Sequence, residues 1–387
     1  MIVYSKIELS NSALKDEAQS LHKAGFISKE QCDYFSKDLV IPKTNSNLLV
    51  RALFSILGVF LYSSICGFFA LTAMDNLDNY YAYLIFFYAI IGFAGAEILA
   101  RSKFFGHGLD DAFILGSQLI LAIAIGIATN GNDLVIVAML TATALLSYLR
   151  YLHLSMALLF CLALTAILIF GIFELDTSIH PFLPFMMMLF ALAIYLSSVT
   201  VIKNLVIPFY HNGFVLTKNF ALILFYLSGN YLVVRELSIE LLGQEVPAGS
   251  DIPYAFFFYA FTFVVPASYM VFALLKKDRI LLWIGLLSLF FSVYTIRFYY
   301  SVIPIEFALS IGGAVLFAIT LLAIKKLKNN QTGITFQPDR FTKTNAFLNA
   351  EILISTQMGG LKPTVTTESP MEFGGGDFSG GGSGGSF

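Results

Sequence analysis

Ten stretches of the chain stay apolar for close to the roughly 20 residues that carry an α-helix across about 30 Å of hydrocarbon. They run over 49–73, 81–101, 111–128, 133–149, 154–173, 181–202, 214–234, 254–275, 280–297 and 303–324. Within each run the apolar residues cover every face, which predicts membrane helices and excludes the in–out alternation of a β-barrel. The fourth run is the shortest and carries Thr141, Thr143 and Ser147. The expected fold is an all-α integral membrane protein, a bundle of about ten transmembrane helices over 48–324 with small cytoplasmic termini.

The flanks follow other patterns. Residues 1–47 are polar with helical periodicity: Leu14, Ala18 and Leu21 share a face, and Gly25 stands where a C′ glycine ends a helix. Ser28 and Gln31 have capping-box spacing, Ile27 and Cys32 have staple spacing, and Cys32, Phe35 and Leu39 continue the apolar face to Pro42. This predicts a cytoplasmic helical hairpin. So few residues rarely bury enough surface to be stable alone, so it should dock on the bundle or on a partner. No cleavable leader precedes the first run, which is expected to act as an uncleaved anchor. Residues 325–372 form a polar tail in which "NAFLNAEILISTQM" has helical character and "LKPTVTTESP" reads as a linker. Residues 373–387, "FGGGDFSGGGSGGSF", are too rich in glycine to bury the surface that ordering requires. They read as a flexible, solvated end, or as a peptide handle that anchors a partner through Phe373, Phe378 and Phe387.

Charge sets the orientation. Only 12% of the residues are charged, against about 25% in soluble domains. With ten spans and the N-terminus inside, 21 of the 23 Lys and Arg residues fall on the inner side, leaving Arg235 and Arg297 outside. The outer loops carry Asp75, Asp78, Asp133, Glu174, Asp176, Glu236, Glu240, Glu245 and Asp251. The positive-inside rule then places both termini in the cytoplasm. The net charge of −2 offers nothing to a nucleic acid. Cys32, Cys66 and Cys161 lie far apart without CxxC spacing and read as buried apolar residues.

The segments "LHKAGFISKEQCDYF" and "LLVRALFSILGVFLYSSICGFFAL" together resemble a bacterial family of multi-pass membrane proteins that open with a short cytoplasmic helical segment. "TGITFQPDRF" and the glycine-rich tail are similar to the ends of proteins from Gram-negative bacteria. The resemblance implies a bacterial cytoplasmic (inner) membrane protein and transfers no catalytic residue. "YAYLIFFYAIIG" and "YAFFFYAFTFVV" share an FFYA run in spans two and eight. That fits either a parallel repeat of spans one to four on seven to ten, or chance likeness between aromatic runs.

Charged residues inside spans cost about 2.5–3.5 kcal/mol at the centre, so each is a functional candidate. Glu97, one turn inside span two, reads either as an i,i+4 partner of Arg101 or as a protonatable carboxylate in a water-filled cavity. Arg297 and Glu306 flank a short turn with Pro304; they pair to pin it, or form one wall of a vestibule. Asp110 and Asp111 favour the N-terminal end of a helix dipole, Asn219 and Asn230 suit interhelical hydrogen bonds, and Pro266 implies a kink with a freed carbonyl. The loop "RELSIELLGQEVPAGSDIP" is acidic, suiting a cation, an envelope partner or plain solvation. His22, His107, His153, His180 and His211 lack metal-ligand spacing, and no G-x-S-x-G elbow, Walker loop or paired intramembrane Asp occurs. No cofactor or catalytic residue is therefore expected. The function expected first is an accessory or scaffold component of a bacterial envelope membrane complex, docking partners through cytoplasmic termini. A small-solute or lipid transporter is the alternative, and a membrane-embedded enzyme a more distant one. The expected partners are the lipid bilayer and other envelope membrane proteins.

Overall fold

A computed structural model of the protein describes residues 2–299 apart from 24–26, 38, 46, 73–76, 176–178, 206 and 243–250, together with the isolated positions Ser310, Gly313, Phe317, Leu321 and Lys325. The described part is helical throughout, with one isolated parallel bridge, Lys43 to Phe104. Two helices precede the apolar runs, α1 (Lys6–Lys23) and α2 (Lys29–Lys37). Then come α3 (Leu48–Thr72), α4 (Leu77–Arg101), α5 (Leu109–Ala128), α6 (Asp133–Tyr151), α7 (Leu154–Phe173) and α8 (Leu183–Lys203). They are followed by α9 (His211–Gly229), α10 (Tyr231–Leu242), α11 (Ala255–Lys276) and α12 (Arg279–Tyr299).

Among the described residues eight helical segments are long and apolar enough to cross a membrane: α3 to α8, α11 and α12. Residues 208–229 and 231–240 meet the same criterion only as a pair bent by 71°. The count is thus eight, or nine with the bent pair, where ten were expected. The tenth run falls almost wholly outside the described residues, as do 326–387 with Phe373, Phe378 and Phe387. The seventh run was expected to be straight to 234 and is not. The Asn230 side chain accepts hydrogen bonds from the Leu232 and Val233 N–H groups at 3.1 and 3.3 Å, starting a new helix where hydropathy alone sees continuity.

The helices pack around two central members. In the first half α5 contacts α3, α4 and α6, while α6 packs on α7. In the second, α9 contacts α8, α10, α11 and α12, and α7 against α9 joins the halves. The helix ends near Arg51, Arg101, Arg150 and Lys203 define one end of the bundle, called here the Arg51 end; Arg235 marks the other. The N-terminal segment docks at the Arg51 end. Tyr4 and Leu9 join a buried cluster with Ala96, Ala100, Phe113 and Tyr151, and the Val3 N–H donates to the Arg150 carbonyl at 3.1 Å. Burial raises the Tyr4 phenol above its usual pKa, keeping it a donor to the Phe104 carbonyl at 3.1 Å. The capping box of α2 closes as expected, with Ser28 N–H on Gln31 Oε1 at 2.8 Å and Gln31 N–H on Ser28 Oγ at 3.2 Å. Of the α1 face read from sequence, Leu14 and Leu21 are exposed and Ala18 is half-buried, so the contact with the bundle is made by Tyr4 and Leu9 instead.

Candidate functional site

Besides a small set in which Gln118 of α5 bonds Ser147 and Thr143 of α6 at 3.0 and 2.8 Å, polar side chains gather in two larger groups, and each grows from local sequence. At the Arg51 end the segment "SKFFGHG" turns α4 into α5, pinned by Lys43 N–H to the Lys103 carbonyl at 2.8 Å and by Asn45 Nδ2 to the His107 carbonyl at 2.7 Å. Gly108 has φ 113°, and a Cβ there would lie 2.3 Å from the Arg51 carbonyl, so only glycine lets the turn approach α3 so closely. Asp110 closes the turn by accepting from the N–H groups of Gly106, His107 and Gly108 at 2.7, 2.9 and 3.0 Å. Asp111 points to other helices. Arg51 of α3 grips it with Nε at 2.5 Å and Nη2 at 2.7 Å. His153, at the α6–α7 junction, contacts the same carboxylate through Nε2 at 2.7 Å. This triad, buried at Asp111 and His153 and half-buried at Arg51, ties three helix starts together, which the dipole reading of Asp111 missed.

Beside it lies Glu97. Arg101 Nε donates to it at 2.9 Å, as expected from i,i+4 spacing. Arg150 of α6 adds Nε at 2.8 Å and Nη2 at 2.5 Å, and the Tyr151 hydroxyl a further contact at 3.3 Å. A carboxylate flanked by two guanidiniums is an ion-pair hub, and its arrangement supports the pairing reading over a protonation site in a cavity.

The second gathering surrounds the break between α9 and α10. Thr262, Ser292 and Thr295 are fully buried, as is Asn230. Pro266 has no N–H to offer the Thr262 carbonyl one turn back. Ser292 Oγ of α12 takes that carbonyl instead, at 2.5 Å. The Tyr226 hydroxyl donates to the Ser288 carbonyl at 2.8 Å and contacts Ser292 Oγ at 2.9 Å. Asn230 Nδ2 donates to Tyr226 Oη at 2.9 Å and to Thr295 Oγ1 at 3.2 Å. The Tyr231 N–H, the first of α10, donates to Thr262 Oγ1 at 3.0 Å. Thr262 is seven residues into α11, about 10 Å from its start. Above it, at the Arg235 end, the Tyr231 hydroxyl contacts Asp251, Arg235 Nη1 donates to Tyr231 Oη at 2.7 Å, and the Tyr299 hydroxyl contacts Glu236. The Arg235 guanidinium also lies 4.7 Å from the centroid of the Tyr299 ring.

A polar column therefore descends from the Arg235 end into the bundle. Asn219 extends its line: it precedes Tyr226 by seven residues, two turns on the same face of α9. It is buried, and among the described residues neither its amide nitrogen nor its amide oxygen has a hydrogen-bond partner.

Of the candidates read from sequence, the structure brings Glu97 and Arg101 together. It places Asn230 and Pro266 in one network and leaves Asn219 unbonded. Arg297 lies in the last turn of α12, while Glu306 and hence their pairing lie outside the described residues. The roles of Arg51, Arg150, His153, Thr262 and Ser292 were missed, since their partners lie 30 to 60 residues away. A Pro in one span with Ser and Thr in the next was the one available signal for part of this. No group of three or more His, Cys, Asp or Glu residues able to hold a metal ion is found among the described residues. Comparison with family models, curated proteins and solved structures returns no match.

Proposed function

We propose that the protein is a membrane transporter of a small polar solute, with its recognition site in the polar column of α9 to α12. The observation that carries this reading is the interrupted helix at Asn230. Broken helices inside a membrane bundle are tolerated where buried protein groups or a cavity satisfy the freed backbone, and transporters use them to hold solutes and ions. Here the break, the Thr262 carbonyl that Pro266 leaves free and four buried hydroxyl or amide side chains meet within two turns of one end. Neutral hydroxyls and amides suit a polar solute better than a strongly charged one. Placement in a bacterial cytoplasmic membrane with both termini inside belongs to the same proposal, and the uneven distribution of Lys and Arg supports it.

Cysteine accessibility tests the reading. In a background lacking Cys32, Cys66 and Cys161, single cysteines at Thr262 and Asn219 should react with a small, charged methanethiosulfonate in intact membranes. A cysteine at Asp251 is the positive control, and one at lipid-facing Leu287 the negative. If 262 and 219 stay as inert as 287, no water reaches the column and the transport reading fails.

A second reading, an accessory or scaffold component of an envelope complex, is favoured by α1. Ile7, Leu14 and Leu21 are exposed at seven-residue spacing on a helix outside the apolar runs, a face suited to a partner helix. A stoichiometric co-purifying chain lost in the variant I7S/L14S/L21S would support it.

A further inference from the structure

The turn between α11 and α12 carries three cations in four residues, Lys276, Lys277 and Arg279, and all three are exposed. Its one carboxylate is already engaged. Asp278 accepts from the Ile280 and Leu281 N–H groups at 3.1 Å each, capping α12, and from Lys218 Nζ at 3.3 Å. Lys276, Lys277 and Arg279 make no ion pair among the described residues. Local structure does not account for two of them. Lys277 sits at φ 54°, in the left-handed region that favours glycine, where the Lys277 and Asp278 N–H groups close α11 on the Leu274 and Ala273 carbonyls at 3.4 and 3.0 Å. Arg279 opens a 21-residue helix at the positive end of its dipole, where an acidic residue is favoured and a cation is not. Only Lys276, in the last turn of α11, stands where the dipole favours it.

The turn also lies at the depth of headgroups. On α12, Trp283, Leu287, Phe290 and Tyr294 form an exposed stripe, and Arg279 precedes it by four residues on the same face, about 6 Å along the axis. On α11, Val271, Phe272, Leu274 and Leu275 are exposed just before Lys276. In a membrane-spanning bundle such residues face lipid chains, and tryptophan marks the boundary between chains and headgroups. We infer that Lys276, Lys277 and Arg279 form a binding site for the phosphate of an anionic phospholipid headgroup, whose acyl chains lie along Trp283 and Leu287. A guanidinium fork and two ammonium groups match phosphate oxygens, and a lipid anion supplies the countercharge that the turn lacks. The inference rests on membrane insertion and is independent of whether the protein transports anything.

Trp283 is the single tryptophan of the chain, so its fluorescence reports this site alone. The full chain is reconstituted in phosphatidylcholine vesicles with a minor fraction of phosphatidylglycerol, and one lipid or the other carries brominated chains that quench the ring on contact. In the wild type, brominated phosphatidylglycerol should quench well beyond its share of the bilayer. Lys277→Gly removes a cation and suits φ 54°, so its thermal unfolding temperature should be at or above that of the wild type. Its relative affinity for phosphatidylglycerol should nevertheless fall about fivefold, as expected for one basic residue at an anionic surface, and R279Q should lose as much. Lys203→Gln, at the same end of the bundle on α8, should leave it unchanged. Quenching in proportion to bulk composition, or no change in K277G, overturns the inference. An equal loss in K203Q overturns it too, in favour of diffuse surface attraction. Reversal of the preference by inorganic phosphate at unchanged ionic strength would assign the site to free phosphate and overturn lipid recognition. Should either K277G or R279Q fail to fold, the other decides against K203Q.

Discussion

Around α5, the charged groups that fasten neighbouring helices lie at helix ends, Arg51 with Asp111 and His153 and Glu97 with Arg101 and Arg150, while one neutral set, Gln118 with Thr143 and Ser147 of α6, lies deeper. Around α9, the groups inside the bundle are neutral, Tyr226, Asn230, Thr262, Ser292 and Thr295, and they surround a break in the helix itself. The charged residues of this second half, Lys218 with Asp278 and Arg235 with Asp251, are again drawn toward the ends. Depth explains the division. An ionised side chain at the centre of a bilayer costs several kcal/mol, whereas an interhelical hydroxyl or amide bond contributes about 0.6 kcal/mol on average. The α5 half thus adds a few strong ionic contacts at its ends to the Gln118 bonds, and the α9 half relies on many weak ones. Weak contacts can be exchanged singly for contacts with a solute, so the proposed transport reading locates conformational change in the α9 half.

Removing one strong contact should cost more than removing any weak one. Asp111→Leu leaves the Arg51 guanidinium and the His153 ring without their shared acceptor in a site where Asp111 is 7% exposed. Loss of one partner from a buried pair costs about 3–5 kcal/mol. Equilibrium unfolding in mixed micelles should show that loss, with Asp111→Asn falling between the two. If D111L costs no more than S292A, the contrast between the halves is wrong.

The same contrast explains what could be read in the sequence. Apolar runs are a local signal, and the eight spans follow from them, as does the α2 capping box from Ser28 and Gln31. Glu97 with Arg101 was legible because four residues separate them on one helix. Arg150 was not, because its contact with Glu97 depends on how α4 and α6 lie side by side. Asp111 was taken for a dipole partner since a helix start explains an acidic residue without further help. The break at Asn230 was hidden by "YLVV" after it, which is as apolar as any continuing span. The residues by which the N-terminal segment meets the bundle were not legible for a related reason. Periodicity identifies an apolar stripe on α1 without revealing that Tyr4 and Leu9 fill the nearest space in the bundle.

A smaller effect tests the α9 half alone. Ser292→Ala removes the donor that replaces the missing Pro266 N–H, leaving the Thr262 carbonyl unsatisfied at a cost of about 1–2 kcal/mol. Pro266→Ala restores a helical N–H for that carbonyl. In the P266A background, S292A should therefore cost about 1 kcal/mol less than in the wild type, a coupling that a double-mutant cycle measures. Additive effects would show that the proline and the serine act independently.

The smallest expected change has the most informative sign. Asn219→Leu replaces an amide that makes no hydrogen bond among the described residues with an apolar side chain of similar size. A buried, unbonded polar group is destabilising, so the substitution should raise stability by about 1 kcal/mol. A residue that weakens the fold where it stands is retained for another reason, and the column places Asn219 two turns below Tyr226 on the path a solute would follow. N219L should then be the more stable protein and the poorer transporter, as read by the flux of whichever polar solute protects a cysteine at 262 from labelling. Gln at 219, which keeps the amide, should preserve part of that flux. If N219L loses 1 kcal/mol or more, the amide already has a structural partner in the folded protein, and α9 is fastened at that depth just as α5 is at its end.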